Sequence, residues 1–352
     1  MTQSSSTLDW FEKITGFREG TYDETRARLS IENGLLVSPF SERRCGVGQL
    51  ELASLNDLRV HRGASSASVR RTTVRCLAAD VRALHSDPEF SGALFQVASQ
   101  FNLLEMVSPN VSPEDGVARY AHDRTQGPAC AIAAGAATIY RNYFAPVGEG
   151  SGQTAVRQID ALAPMGEALS HQLNRPVHAL WTMRNGYAIC TLDGLRSIGE
   201  FLRRSTGPAL DHLRGQLAIG LHWRVEVTDS EQPTRPTVSQ AFCSALPVRY
   251  THIPTAAWEP FSRLVLEAAY EATLLAACKQ RNEGGSRTVL LTRLGGGAFG
   301  NDDRWIDEAI ERALRLVEFE GLDVCLVSFG RVHAAFSAME TAWNSGPAAR
   351  HE

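Results

Sequence analysis

Thr288-Val-Leu-Leu-Thr-Arg-Leu-Gly-Gly-Gly-Ala-Phe-Gly-Asn301, running on into Asp302-Asp-Arg-Trp-Ile306, is the stretch that decides the fold. An apolar, β-prone run stops at three glycines, and a helical pattern begins a few residues later. Strand, glycine loop, helix is the order a diphosphate cradle needs. Glycines let the main chain approach a phosphate, and a helix start presents unpaired N–H groups. A P-loop would end in Gly-Lys-Ser/Thr, but here Gly300 is followed by Asn301 and Asp302. A dinucleotide fingerprint sits in the first βα unit, and this loop lies near the C-terminus. Kinase, ATPase and ordinary dehydrogenase readings therefore lose ground, while a plain tight turn stays open.

Outward from that stretch, strands and helices alternate. Gln216–Thr228 and Val238–Pro247 read as strands, Trp258–Lys279 as a long helix, Trp305–Val317 as another, and Leu322–Phe329 as a last strand. Upstream, Ala93–Ser99 reads as a buried strand ending in Gln100-Phe101-Asn102. Thr72–Leu84 has apolar positions at helical spacing and predicts a helix, broken by Asp87-Pro88. Ala129–Tyr140 is rich in small residues and suits close packing. Ile159–Leu173 and Asp193–Arg204 read as helices, and Asn185-Gly186 predicts a type I′ hairpin within Val177–Cys190. The alternation predicts an α/β protein with a mixed or parallel sheet flanked by helices. In such sheets ligands sit beyond the carboxyl ends of strands, here after Ser99, Leu294 and Ser328.

The chain has 352 residues, of which 43% are hydrophobic, enough for a large core in one elaborated domain or two. A net charge of −4 makes a poor non-specific binder of nucleic acid or membrane. Seven scattered cysteines without a CxxC pair read as reduced thiols of a cytoplasmic protein. The start, Met1 to Thr7, lacks signal-peptide character, and no apolar run is long enough to span a membrane.

Individual residues carry two readings each. Asn102, at a strand end, can offer a donor and an acceptor to a ribose diol, or can close an Asx turn. Glu114-Asp115-Gly116-Val117 is a glycine beside carboxylates, or an acidic helix start. Asp302, Asp303 and Asp307 can face a sugar, a water or a cationic leaving group, or compensate a helix N-terminus. Phe299 can wall a sugar or plug the core. Phe329 can stack on a base or pack inside. Cys130 precedes a helical run, yet no histidine–carboxylate arrangement points to it as a nucleophile. His122, His178, His222, His252 and His333 lack metal-ligand spacing.

Taken together, Phe95-Gln-Val-Ala-Ser-Gln-Phe-Asn-Leu-Leu-Glu-Met106, Pro113-Glu-Asp-Gly-Val117, Thr125-Gln-Gly-Pro-Ala-Cys-Ala131, Ile139-Tyr-Arg-Asn-Tyr143 and Leu294–Asn301 resemble the macrodomain-like ADP-ribosyl hydrolases of the MavL type. The resemblance spans about residues 90 to 330. It implies a macrodomain-like mixed sheet with N-terminal and central elaborations. The implied division is an extension over 1–90, a catalytic domain over 91–335 with an insertion at about 147–215, and a tail over 336–352. It also implies hydrolysis of the N-glycosidic bond between ADP-ribose and a protein arginine, with ubiquitin as a partner. Gly295, Gly296, Gly297, Ala298, Phe299, Gly300 and Asn301 would hold the pyrophosphate. Asn102, Gly116 and Val117 would hold the distal ribose together with Asp115, Gln100, Phe101 and Phe329 would also touch the ligand, and Asp302, Asp303 and Asp115 would carry the chemistry. ADP-ribose is ligand and product, and neither metal nor cofactor is implied. Two departures stand out: Ser99-Gln-Phe-Asn102 replaces the usual Asn-Ala-Ala-Asn, and Glu114-Asp-Gly-Val117 replaces Gly-Gly-Gly-Val. A reader module that binds ADP-ribose without cleaving it, and a structural or ligand-scavenging protein with a vestigial loop, are the readings from other classes.

Overall fold

The computed structural model describes residues 9–63 and 70–346. The polar start of the chain and its last six residues, part of the expected tail, lie outside the described residues. Seven strands form the central sheet: β1 (Gln49–Ser54), β2 (Thr73–Ala78), β3 (Leu94–Ala98), β4 (Ala218–Glu226), β5 (Thr237–Cys243), β6 (Thr288–Leu291) and β7 (Asp323–Ser328). Their spatial order is β1-β4-β5-β3-β6-β7-β2. From β5 across to β2 every pairing is parallel, and β4 alone runs against both of its neighbours. β3 and β6 are apolar and buried along nearly their whole length, as strands covered on both faces must be.

Both edge strands come from the first 90 residues. The stretch Thr72–Leu84 is not one helix. Thr73–Ala78 is an edge strand that pairs with β7 in register from Thr73↔Asp323 to Ala78↔Ser328. A short helix, Val81–Ser86, follows it, and the Asp80 carboxylate accepts the Arg82 N–H at its start. Sheet pairing has overridden a spacing that is helical only by coincidence.

Four helices set the site: α1 (Gln126–Ala133), α2 (Gly135–Tyr143), α3 (Thr255–Asn282) and α4 (Asp303–Leu316). The main core lies between the sheet and α3 and α4, with Trp258, Phe261, Tyr270 and Ile306 fully or almost fully buried. A second core belongs to residues 10–47: Trp10, Phe11, Phe17 and Tyr22 pack on Val117, Tyr120, Ile139 and Tyr143. The segment from 147 to 215 forms two small hairpins and helices. One hairpin, Trp181–Arg184 with Tyr187–Cys190, turns at Asn185 (φ 47°) and Gly186 (φ 78°), the type I′ geometry its sequence predicts. No helix among the described residues is long and apolar enough to cross a membrane.

Candidate active site

β6 ends at Leu291, and the chain then turns through the glycine loop. Gly295 adopts φ +74°, and a Cβ there would lie 2.4 Å from the Ala245 Cβ, so only glycine fits. The buried Asn301 closes the loop, with its main-chain N–H donating to the Gly295 carbonyl (3.0 Å) and its side-chain amide to the Leu246 carbonyl (2.9 Å). Arg249 holds the outer side, its guanidinium donating to the Gly297 carbonyl (3.1 Å) and its main-chain N–H to the Phe299 carbonyl (3.0 Å). The carbonyls of Gly295, Gly297 and Phe299 are thereby engaged. The N–H groups of Gly297, Ala298, Phe299 and Gly300 donate to no acceptor among the described residues. Four main-chain donors in succession are left without partners, three of them on residues that line a cavity, and such a run can hold an anion.

The cavity is one of two that share a wall. The larger, about 540 Å³, is bounded by Gln100, Glu105, Tyr187, Tyr250 and the loop residues Gly295, Gly297, Ala298 and Phe299. The smaller, about 380 Å³, is bounded by Asp80, Arg82, Phe95 and Phe329. Asp123, Arg124, Thr125, Gln126 and Thr292 line both. The result is one elongated cleft over the carboxyl ends of β2, β3, β6 and β7, where the topology predicts a ligand.

The shared wall is built by α1. Its first residue, Gln126, accepts the Ala98 N–H (2.8 Å) and donates to the Gln96 carbonyl (2.8 Å), so the helix start is clamped to β3. Gly127 is pressed against the same strand: a Cβ there would come 2.0 Å from the Ala98 carbonyl oxygen. Asp123 precedes the helix, and its Oδ1 accepts the Thr125 N–H (2.8 Å), while Oδ2 has no donor among the described residues. Its negative charge is among the causes that raise the Tyr187 pKa, after burial and Tyr250. Tyr187, Tyr250 and Phe299 form an aromatic cluster with ring centroids 5.1 to 5.6 Å apart. At the back of the larger cavity, Glu105 pairs with Arg141 at 3.2 Å, both side chains essentially inaccessible. Burial is the main cause that pushes Glu105 up to about 7, Arg141 pulling the other way.

Crystal structures of similar shape come from two bacteria. Poly(ADP-ribose) glycohydrolase from Thermomonospora curvata is 13% identical, with 92% of this chain and 97% of that one covered and a TM-score of 0.42. The Deinococcus radiodurans enzyme in complex with ADP-ribose is 12% identical, with 84% and 95% covered and a TM-score of 0.45. No family model matches the chain, and no curated protein matches it.

The two loops singled out in the sequence do meet, through Gln100 and Gly295 on one cavity. Phe299 walls the larger cavity, and Phe329 stands 84% exposed at the mouth of the smaller. Gly296, Gly300 and Asn301 shape the loop without lining the cavity. The other expected site residues are engaged elsewhere. Asn102 is fully buried: its amide donates to Gln158 (2.9 Å) and accepts the Leu104 N–H (3.1 Å), so it fixes its own turn. Phe101 is a core residue. Asp115 accepts the Ser112 N–H (2.8 Å) and stands near Arg119. The Val117 N–H, expected near a sugar, donates instead to the Glu19 carboxylate at 2.9 Å, and the neighbouring Ala118 N–H donates to the same group at 2.7 Å. Asp302 caps α4 through the Arg304 N–H (2.9 Å), which occupies the helix start expected to face phosphate. Asp303 holds Arg293 at 2.7 Å, and Asp307 pairs with the same guanidinium. None of Asp115, Asp302 and Asp303 lines the cleft.

Asp123, Arg124, Tyr187 and Tyr250 were missed in the sequence. One signal was present: Asp123 stands three residues before Gln126-Gly-Pro128, the start of a helix packed on a buried strand. Among the described residues no group of three or more His, Cys, Asp or Glu side chains could hold a metal ion.

Proposed function

We propose that this protein is a macrodomain-like ADP-ribosyl hydrolase that cleaves the N-glycosidic bond between ADP-ribose and a protein arginine. The observation that carries the reading is the run of unpartnered N–H groups from Gly297 to Gly300, whose first three residues line a cleft with Asp123 on its wall. The cradle holds the diphosphate. The base lies toward Phe329 and Asp80, and the distal ribose lies in the larger cavity against Phe299. On this reading the anomeric carbon lies on the side of Asp123 and the aromatic cluster. Glycosyl transfer builds positive charge at that carbon, which a carboxylate stabilises. Asp123, with one oxygen fixed by Thr125, is the group that orients the attacking water and faces the developing cation. Water adds to the anomeric carbon, the C–N bond breaks, and arginine leaves as its guanidinium with ADP-ribose as the other product. Tyr187, Tyr250 and Phe299 offer ring faces to that cation.

The test is release of ADP-ribose from an arginine-modified protein, with ADP-ribosylated ubiquitin as the first substrate and a cytoplasmic setting as its context. Asp123→Asn lowers the rate by about 10²–10⁴-fold while ADP-ribose still binds in calorimetry. Asp302→Ala and Asp303→Ala keep most of the activity. Binding without release by the unmodified protein would instead favour the reader module, and absence of binding would remove both readings.

A further inference from the structure

Glu19 belongs to the N-terminal segment, about 100 residues before the loop it touches. Its carboxylate accepts from the Val117 N–H at 2.9 Å, from the Ala118 N–H at 2.7 Å and from the Tyr143 hydroxyl at 2.7 Å. Trp10 grips the same place from the other side, its indole N–H donating to the Ala118 carbonyl at 3.2 Å. Gly116 makes room: it adopts φ +80°, and a Cβ there would lie 2.4 Å from Glu19 Oε2. Immediately downstream, Ala118–His122 forms a short 3₁₀ turn, and the Asp123 N–H closes it on the Tyr120 carbonyl at 3.1 Å. Tyr120 is buried in the second core, and its hydroxyl accepts the Glu105 N–H at 3.0 Å. A continuous run of contacts thus leads from Glu19 through Ala118 and Tyr120 to Asp123.

We infer that Glu19 is a positioning residue: its carboxylate substitutes for the anion that this amide pair could otherwise bind, and so fixes the turn that delivers Asp123 to the cleft wall. The N-terminal segment is then part of the catalytic unit. A carboxylate bound by two main-chain N–H groups and a phenol is the right device, because three charge-assisted hydrogen bonds define the loop's position as well as its attachment. Burial opposes the charge and raises the Glu19 pKa, while the three donors lower it. The amide of Glu19→Gln can accept but cannot match two adjacent N–H donors, so one of them loses its partner.

The inference rests on the reading of Asp123 as the catalytic carboxylate, and its test has an arm that does not. In Glu19→Gln, amide hydrogen exchange quickens over residues 117–125 and stays at the unmodified protein's level in β3, β6 and α3. In the release assay kcat falls by about 10²-fold, the effect of misplacing a reacting group, while KM changes little. Glu19→Asp restores part of the loss. Leu36→Ala, which opens the same N-terminal core without touching Glu19, is the control: it lowers the melting temperature but keeps kcat. Unchanged exchange over 117–125 overturns the inference, and so does a kcat loss in Leu36→Ala equal to that in Glu19→Gln. Should Glu19→Gln not fold, Gly116→Ala displaces the same carboxylate with its charge intact, and a normal kcat there overturns it too. If the unmodified protein releases no ADP-ribose, the functional reading fails, and the exchange arm still decides what Glu19 does.

Discussion

The Glu105–Arg141 pair closes the back of the larger cavity. Arg141 is fully buried, donates to the Leu103 carbonyl at 3.0 Å and lies 3.9 Å from the centre of the Phe242 ring. Its pKa is lowered and that of Glu105 raised to about 7, burial being the larger cause in both. A carboxyl with a raised pKa holds its proton more tightly in the folded state than in the unfolded chain. Its contribution to stability is therefore greatest below about pH 4.5 and declines as pH rises toward 7. Glu105→Gln mimics the protonated form and removes that decline. In urea unfolding at a series of pH values, the variant should gain on the unmodified protein as pH rises from 5 to 7. A gain in the opposite direction would mean that the attraction to Arg141 outweighs desolvation.

At the scale of elements, the glycine loop separates what folding needs from what a ligand needs. A methyl on Gly295 would strike Ala245 and force a left-handed backbone on alanine, whereas one on Gly297 meets nothing within 4 Å. Gly295→Ala should destabilise by about 1–3 kcal/mol, read as a lower denaturant midpoint. Gly297→Ala should keep its midpoint and, on the proposed function, lose ADP-ribose affinity by about tenfold or more, because its methyl would stand where the diphosphate is proposed to approach. Equal affinity in Gly297→Ala would remove the cradle from the binding site. This loop was the most legible part of the sequence, because glycine run, apolar strand and helix start are local signals that share one stretch. The Asn185-Gly186 turn was legible for the same reason. Thr72–Leu84 was not, since an edge strand is fixed by its partner, β7, about 250 residues away. Asp123 was hidden differently. In sequence it is one carboxylate in Ala121-His-Asp-Arg-Thr125, and contacts distant in the chain, among them the burial of Tyr120 and the clamping of Gln126 onto β3, bring it to the cleft. Asp302 and Asp303 stand beside the glycine loop in sequence, but a helix start and Arg293 take them.

Over the whole molecule, distant segments are joined by buried charges that have partners and by histidines that do not all have them. The nearly inaccessible Glu271 carboxylate on α3 accepts Arg59 and Arg312, each at 2.6 Å, and so ties β1's following helix to α4. His85 is equally buried but satisfied: one ring nitrogen meets the Val81 carbonyl at 2.7 Å and the other the Gln240 amide at 3.1 Å. His222, on β4 where the N-terminal core meets α2, has no well-formed hydrogen bond at either nitrogen, and the Val47 main chain offers only a poor one. Burial, and next the Arg141 charge, hold its pKa well below the usual 6.5. A histidine so lowered stays neutral in the fold while the unfolded chain takes up a proton. Stability through this group is complete above about pH 6.5 and is lost as pH falls below it. His222→Phe deletes both the unpartnered nitrogens and the proton uptake, and the flat ring is kept against Tyr140, whose ring centre lies 5.9 Å away. The variant should be more stable by about 1 kcal/mol at pH 7, with the margin widening toward pH 5. Denaturant unfolding at the two pH values measures both. A loss of stability at pH 7 would mean that His222 holds a buried partner, and the junction between the N-terminal segment and the sheet would then be polar by design.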